Sequence, residues 1–107
     1  MQSISAIISK EISISERQVS NTISLIEDGC TIPFISRYRK ERTGGLNEEQ
    51  VELIFKKNEY YKELFDRKQT ILGVIEKQGK LDDALKTLIE NTWDSNELED
   101  IYLPYKT

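Results

Sequence analysis

From Glu48 to Gln78 the chain keeps helical spacing without a proline, and this run constrains the fold more than any other feature. Val51, Ile54, Phe55, Tyr61, Leu64, Phe65, Ile71, Leu72 and Ile75 recur at steps that lay one apolar stripe along a helix. At ~1.5 Å per residue the run makes a rod about 45 Å long. A capping box, Asn47 with Gln50, and a hydrophobic staple, Leu46 with Val51, mark its start. Gly79 stands at its end, where a left-handed C-cap is wanted. The opposite side carries Glu52 with Lys56 and Glu63 with Arg67, acidic-first i,i+4 pairs worth ~0.2–0.5 kcal/mol each. Three or four short helices cannot cover the whole stripe of such a rod, so part of it is expected to wait for another domain.

The same start signals recur along the chain. Ser15 with Gln18 is flanked by Ile14 and Val19, Asp94 with Glu97 by Trp93 and Leu98, and Asp82 is a plainer cap after Leu81. Gly29 supplies another stop. Between these marks Ile4, Ile7, Ile8, then Val19, Ile23, Ile26, then Leu85, Leu88, Ile89 keep steps of three and four. The stretch EISIS before Ser15 alternates briefly and reads as a connector. No repeat, low-complexity tract or Pro/Gly-rich linker interrupts the 107 residues. The expected fold is all-α, an irregular helical array with one long central helix of about 30 residues and several short ones, leaving room for helix-turn-helix-like packing. Residues 1–107 read as one helical region, cut off at Leu103–Thr107 without a polar tail, inside a longer protein.

Composition excludes more than it proposes. No apolar run approaches the ~20 residues of a membrane span, and MQSISAIISKEISIS lacks the basic and uninterrupted apolar parts of a signal peptide. A cytoplasmic protein without membrane contact is expected. The chain has no histidine, which removes the commonest general base, metal ligand and pH switch. Cys30 is the single cysteine and reads as a small packing residue. No nucleophile–base pair or ligand set can be named, so no enzyme, metal or cofactor is expected. With a net charge of -4, any nucleic-acid binding must come from a local patch.

One such patch exists. PFISRYRKERTGGLN places Arg37, Arg39, Lys40 and Arg42 within six positions, between Pro33 and the Gly44–Gly45 turn. A short helix opened by Pro33 and running to about Glu41 would set Arg37 and Lys40 on one side and Arg39 and Arg42 on another. Two readings stay open. The cations grip phosphates, with Tyr38 stacking on a base or packing beneath a guanidinium, or they pair with Glu41, Glu99, Asp100 or other acids and pin the helix. Gly44–Gly45 is no phosphate loop, because no Lys-Ser/Thr pair follows. Asn47, Glu48 and Glu49 are better used as a cap and first-turn charges than as metal ligands. Around Leu103–Pro104, Tyr102 and Tyr105 lie where a neighbour must cover them; with Trp93, itself read chiefly as a core anchor, they form a candidate docking surface.

The strings TIPFISRYRKERTGGLNEEQ, ELFDRKQTIL, IEKQGKL and LEDIYLPYK resemble the N-terminal helical region of Tex-type transcription accessory proteins, from about Val19 onward. Departures are mild: Cys30 where a small residue is usual, Ser36 where Ala is common, Asn47 where Asp is the common cap. The resemblance implies a multidomain bacterial protein continuing through a basic stretch, further helices, a nuclease-like domain without established activity, helix-hairpin-helix elements and an OB-type RNA-binding domain. It implies links to transcription and RNA binding, with the best-defined nucleic-acid surface in that last domain. It gives Arg37, Tyr38, Arg39, Lys40 and Glu41 no proven catalytic role.

The expected function is therefore a non-catalytic helical scaffold in a nucleic-acid-binding transcription accessory protein. Its expected partners are RNA or DNA, mainly through domains absent here, and the downstream domains of its own chain. The alternative is a protein-interaction module that docks on the transcription machinery or on those downstream domains. The apolar length of the long helix also leaves a dimer of the isolated fragment open.

Overall fold

A computed structural model describes residues 3–106. The helices are α1 Ile4–Ile12, α2 Glu16–Glu27, α3 Ile32–Tyr38, α4 Lys40–Thr43, α5 Glu48–Lys77, α6 Asp83–Glu90 and α7 Ser95–Tyr102, followed by a 3-10 turn, Leu103–Tyr105. Among the described residues there is no strand, and the chain is all-α with one helix of 30 residues.

Local chemistry accounts for most of these boundaries. Asn47 and Gln50 form a complete capping box: Gln50 N–H donates to Asn47 Oδ1 at 2.8 Å and Asn47 N–H to Gln50 Oε1 at 2.9 Å. Asp82 and Asp94 cap α6 and α7 through the N–H groups of Leu85 and Glu97. Ser15 caps α2 through Gln18 N–H and donates its hydroxyl to Gln18 Oε1 at 3.0 Å, while Gln18 Nε2 donates to Thr43 O at 2.9 Å. Gly29 and Gly79 hold positive φ after α2 and α5, and in each case the next residue's N–H returns to a carbonyl five back, closing the helix end. The helix α1 runs on to Ile12, so the connector shrinks to Ser13 and Ile14 before the Ser15 cap.

The described residues gather into two compact units, one within Gln2–Tyr60 and one within Tyr61–Thr107, and α5 contributes to both. In the first unit α2 packs against α1, α3 and α4 around buried Ile8, Val19, Ile35, Val51 and Ile54. The second buries Tyr61, Leu64, Ile71, Ile75, Ile89 and Leu98. The stripe of α5 differs from its sequence reading at four places. Phe55 and Phe65 lie exposed, while Asn58 and Lys68 take buried positions. Both polar residues stand four residues after or before stripe members, so helical geometry carries them inward with Ile54 and Leu64. Glu52 and Lys56 pair at 3.2 Å as expected, whereas Arg67 pairs with Glu99 and not with Glu63.

Candidate nucleic-acid interface

The basic segment is held in place by its backbone. Thr31 caps α3 by accepting from Phe34 N–H, and Pro33 sits in the first turn, where its missing N–H costs nothing. The helix does not continue to Glu41: Arg39 leaves helical geometry at φ -127°, ψ 34°, and α4 starts afresh at Lys40. The two-sided arrangement expected for one continuous helix is therefore replaced by two short pieces. Two neutral amides of α2 then anchor the second piece, Asn21 Nδ2 donating to Arg42 O at 3.0 Å and Gln18 Nε2 to Thr43 O. Gly44 lets this happen. Its φ is 72°, and a Cβ there would meet Gln18 Nε2 at 2.6 Å.

Because carbonyls and amides do the anchoring, three of the four cationic side chains have no structural partner. Arg37, Lys40 and Arg42 are exposed, and among the described residues their side chains make no ion pair or hydrogen bond. Glu41 engages none of them, and Glu99 is taken by Arg67 and Lys106. Arg39 behaves differently: its guanidinium lies 4.8 Å from the Phe34 ring centre and donates to Tyr38 O at 3.0 Å. Tyr38 thus packs against Phe34, with centroids 5.4 Å apart and planes at 47°, and is 63% exposed. The i,i+4 spacing of Phe34 and Tyr38 is the sequence signal for this contact.

The second candidate surface is largely engaged within its own unit. Arg67 grips Glu99 with two hydrogen bonds, at 2.9 and 3.0 Å, and lies over the Tyr102 ring at 5.3 Å. Lys106 approaches the same ring at 5.6 Å and Glu99 at 3.8 Å. The paired guanidinium holds the Glu99 carboxyl below the usual carboxylate range. Gln78 Nε2 donates to Tyr105 O at 2.8 Å. Trp93 meets Tyr61 edge-on at 5.9 Å and carries the Lys68 ammonium 3.3 Å from its ring centre. Lys68 is 1% exposed, donates to Glu90 O at 2.9 Å at the end of α6, and burial pushes its pKa down to about 8. Trp93, Tyr102 and Tyr105 are all half-buried. A cavity of about 400 Å³ in this unit, lined by Gln69, Leu72, Glu76, Leu81 and Lys86, touches none of the candidate nucleic-acid-binding or docking residues.

Among the described residues no group of His, Cys, Asp or Glu could hold a metal ion, and no helix is long and apolar enough to cross a membrane. Residues 2–76 match the Tex-like protein N-terminal domain. The chain is 47% identical over 103 residues to the transcriptional accessory protein Tex of Neisseria gonorrhoeae, covering 96% of this chain and 14% of that protein. It is 47% identical over 100 residues to protein YhgF of Escherichia coli, covering 94% and 13%. Against S1 RNA-binding domain-containing protein 1 of Pongo abelii it is 32% identical over 101 residues, covering 94% and 10%. The chain therefore spans about one seventh of the length of the first of these relatives.

Proposed function

The chain belongs to the Tex-like protein N-terminal domain family, and from that premise we propose that it is the non-catalytic helical scaffold of a cytoplasmic transcription accessory protein that binds nucleic acid. Its basic segment contributes backbone contacts, with Arg37, Lys40 and Arg42 meeting phosphates of RNA or DNA. One observation carries this reading: three cations in six positions are exposed and unpaired, on a backbone that neutral amides hold in place. A cation used in packing finds a partner, as Arg67 does in Glu99 and Lys68 in the Glu90 carbonyl and the Trp93 ring. The relatives named for transcription and for an S1 RNA-binding domain support the same class of partner.

The test is a salt titration of binding to RNA and DNA oligonucleotides. Three phosphate contacts on a single strand give a log–log slope of about -2. Changing Arg37, Lys40 and Arg42 together to Ala should flatten the slope, and a wild-type chain with no slope sinks the proposal.

A second reading keeps one supporting feature. Leu103 is 64% exposed beside the half-buried tyrosines, which suits docking on another domain of the same protein or on the transcription machinery. Copurification by the full-length protein but not by a Tyr102→Ser, Tyr105→Ser variant supports it; equal recovery removes it.

A further inference from the structure

We infer that the basic segment is built for single-stranded nucleic acid, with Tyr38 as a platform for an unstacked base between the phosphate contacts. This rests on the phosphate-binding reading and adds to it the form of the ligand.

Phosphate contact alone needs only cations. The segment also presents an aromatic ring that is 63% exposed, and the ring is backed: Phe34 lies against it at 5.4 Å, and Arg39 covers Phe34 at 4.8 Å. The Arg39 guanidinium, tied to Tyr38 O, leaves the Tyr38 ring uncovered. No hydrogen-bond partner takes up the Tyr38 hydroxyl among the described residues, so the ring is not placed to satisfy a polar contact. Tyr38 lies between Arg37 and Arg39, with Lys40 and Arg42 close behind, so a base on this ring has cations on either side in the chain.

A duplex cannot use such a ring, because its base faces are stacked on each other and only edges and backbone are accessible. A single strand can, since every base offers a π-face and stacking on an exposed aromatic is tolerant of sequence. The second unit supplies the contrast. There a guanidinium, a tyrosine and a lysine also come together, but Glu99 sits among them and both cations are already turned to its carboxylate. No carboxylate engages the Arg37–Arg42 cations. That difference favours an anionic ligand with flat aromatic groups over an acidic peptide.

The experiment measures fluorescence anisotropy with labelled 12-nucleotide oligo-dT and oligo-U, the same length of abasic strand, and a duplex. Tyr38→Ala should weaken binding to the two base-bearing strands about five- to tenfold. It should leave the abasic strand, the duplex and the salt slope unchanged, while Tyr38→Phe stays within about twofold of wild type. Thermal melts of both variants should superpose on wild type, since the side chain is exposed. If Tyr38→Ala binds the single strands as wild type while the Arg37, Lys40, Arg42 triple variant has lost binding, the stacking inference falls and the phosphate reading stands. If the wild-type chain binds none of the probes, or polyglutamate displaces them as readily as unlabelled oligo-U, both fall.

Discussion

Each of the two units sets a guanidinium against an aromatic ring, Arg39 on Phe34 in the first and Arg67 on Tyr102 in the second. The surroundings differ by one carboxylate. Glu99 binds Arg67 through both oxygens and draws in Lys106, which makes the second cluster a joint between α5 and α7. Beside Arg39 no acid closes the cluster, and the cations around it stay exposed. Cation–aromatic contact by itself therefore does not tell the two clusters apart; the charge that packing leaves unpaired does. Net charge hides this. The first unit has eight basic and nine acidic residues and the second seven and ten, so most of the overall -4 lies away from the basic segment.

The largest expected difference between the two clusters is in binding. Between about 50 and 200 mM salt the wild-type chain should lose about twentyfold in affinity for a single strand, and the triple Arg37, Lys40, Arg42 to Ala variant should show no such loss. Its melting temperature should match wild type, because those side chains hold nothing. Gly44→Ala should act the other way, lowering stability by ~1–2 kcal/mol in a denaturant melt. The new Cβ strains a positive φ and displaces Gln18 from Thr43.

Glu99→Gln should cost about 1 kcal/mol, discounted for partial exposure, and leave nucleic-acid binding untouched. The carboxyl is held low in the fold, so its contribution is present above the unfolded carboxylate range and fades as pH falls through the folded value. Wild type and variant should converge in acid melts. Lys68 gives the smallest effect and the opposite sign. Its folded pKa of about 8 lies below the unfolded value, so the unfolded chain binds more protons between about pH 8 and 10.4, and stability rises across that window. Lys68→Met should remove that rise from the melting profile. A loss of stability on raising the pH that depends on Lys68 would overturn the buried-lysine account.

Asn58 sharpens the same theme from inside the first unit. It is 2% exposed and its Nδ2 has no hydrogen-bond partner among the described residues. An unmet buried donor costs ~1–3 kcal/mol, which marks the position as one that its packing tolerates rather than needs.

Caps and stops were legible because each is a conversation between residues three to five apart. Asn47 with Gln50, Asp82 with Leu85, and Gly79 after α5 all close within one turn. The long helix and the concentration of positive charge at Arg37–Arg42 follow from that local grammar and from composition. Gln18 shows where legibility stops. In sequence it is the partner of Ser15; in space its amide oxygen keeps that partner while its nitrogen reaches Thr43, 25 residues away. Lys68 was hidden for the same reason, since nothing within a turn announces that Trp93 and the Glu90 carbonyl will enclose it.

The helical character of the chain, most helix starts and stops, and the segment of concentrated positive charge are written in the sequence, though not the break at Arg39. Those properties come from backbone capping, side-chain spacing and counting, all of which act over a few residues. Which cations are engaged and which stay unpaired depends on how the helices pack. Arg67 and Glu99 are 32 residues apart and the amides that hold the basic segment lie more than 20 residues before it. An ion pair or an anchoring hydrogen bond exists only once packing brings such distant groups within about 3 Å.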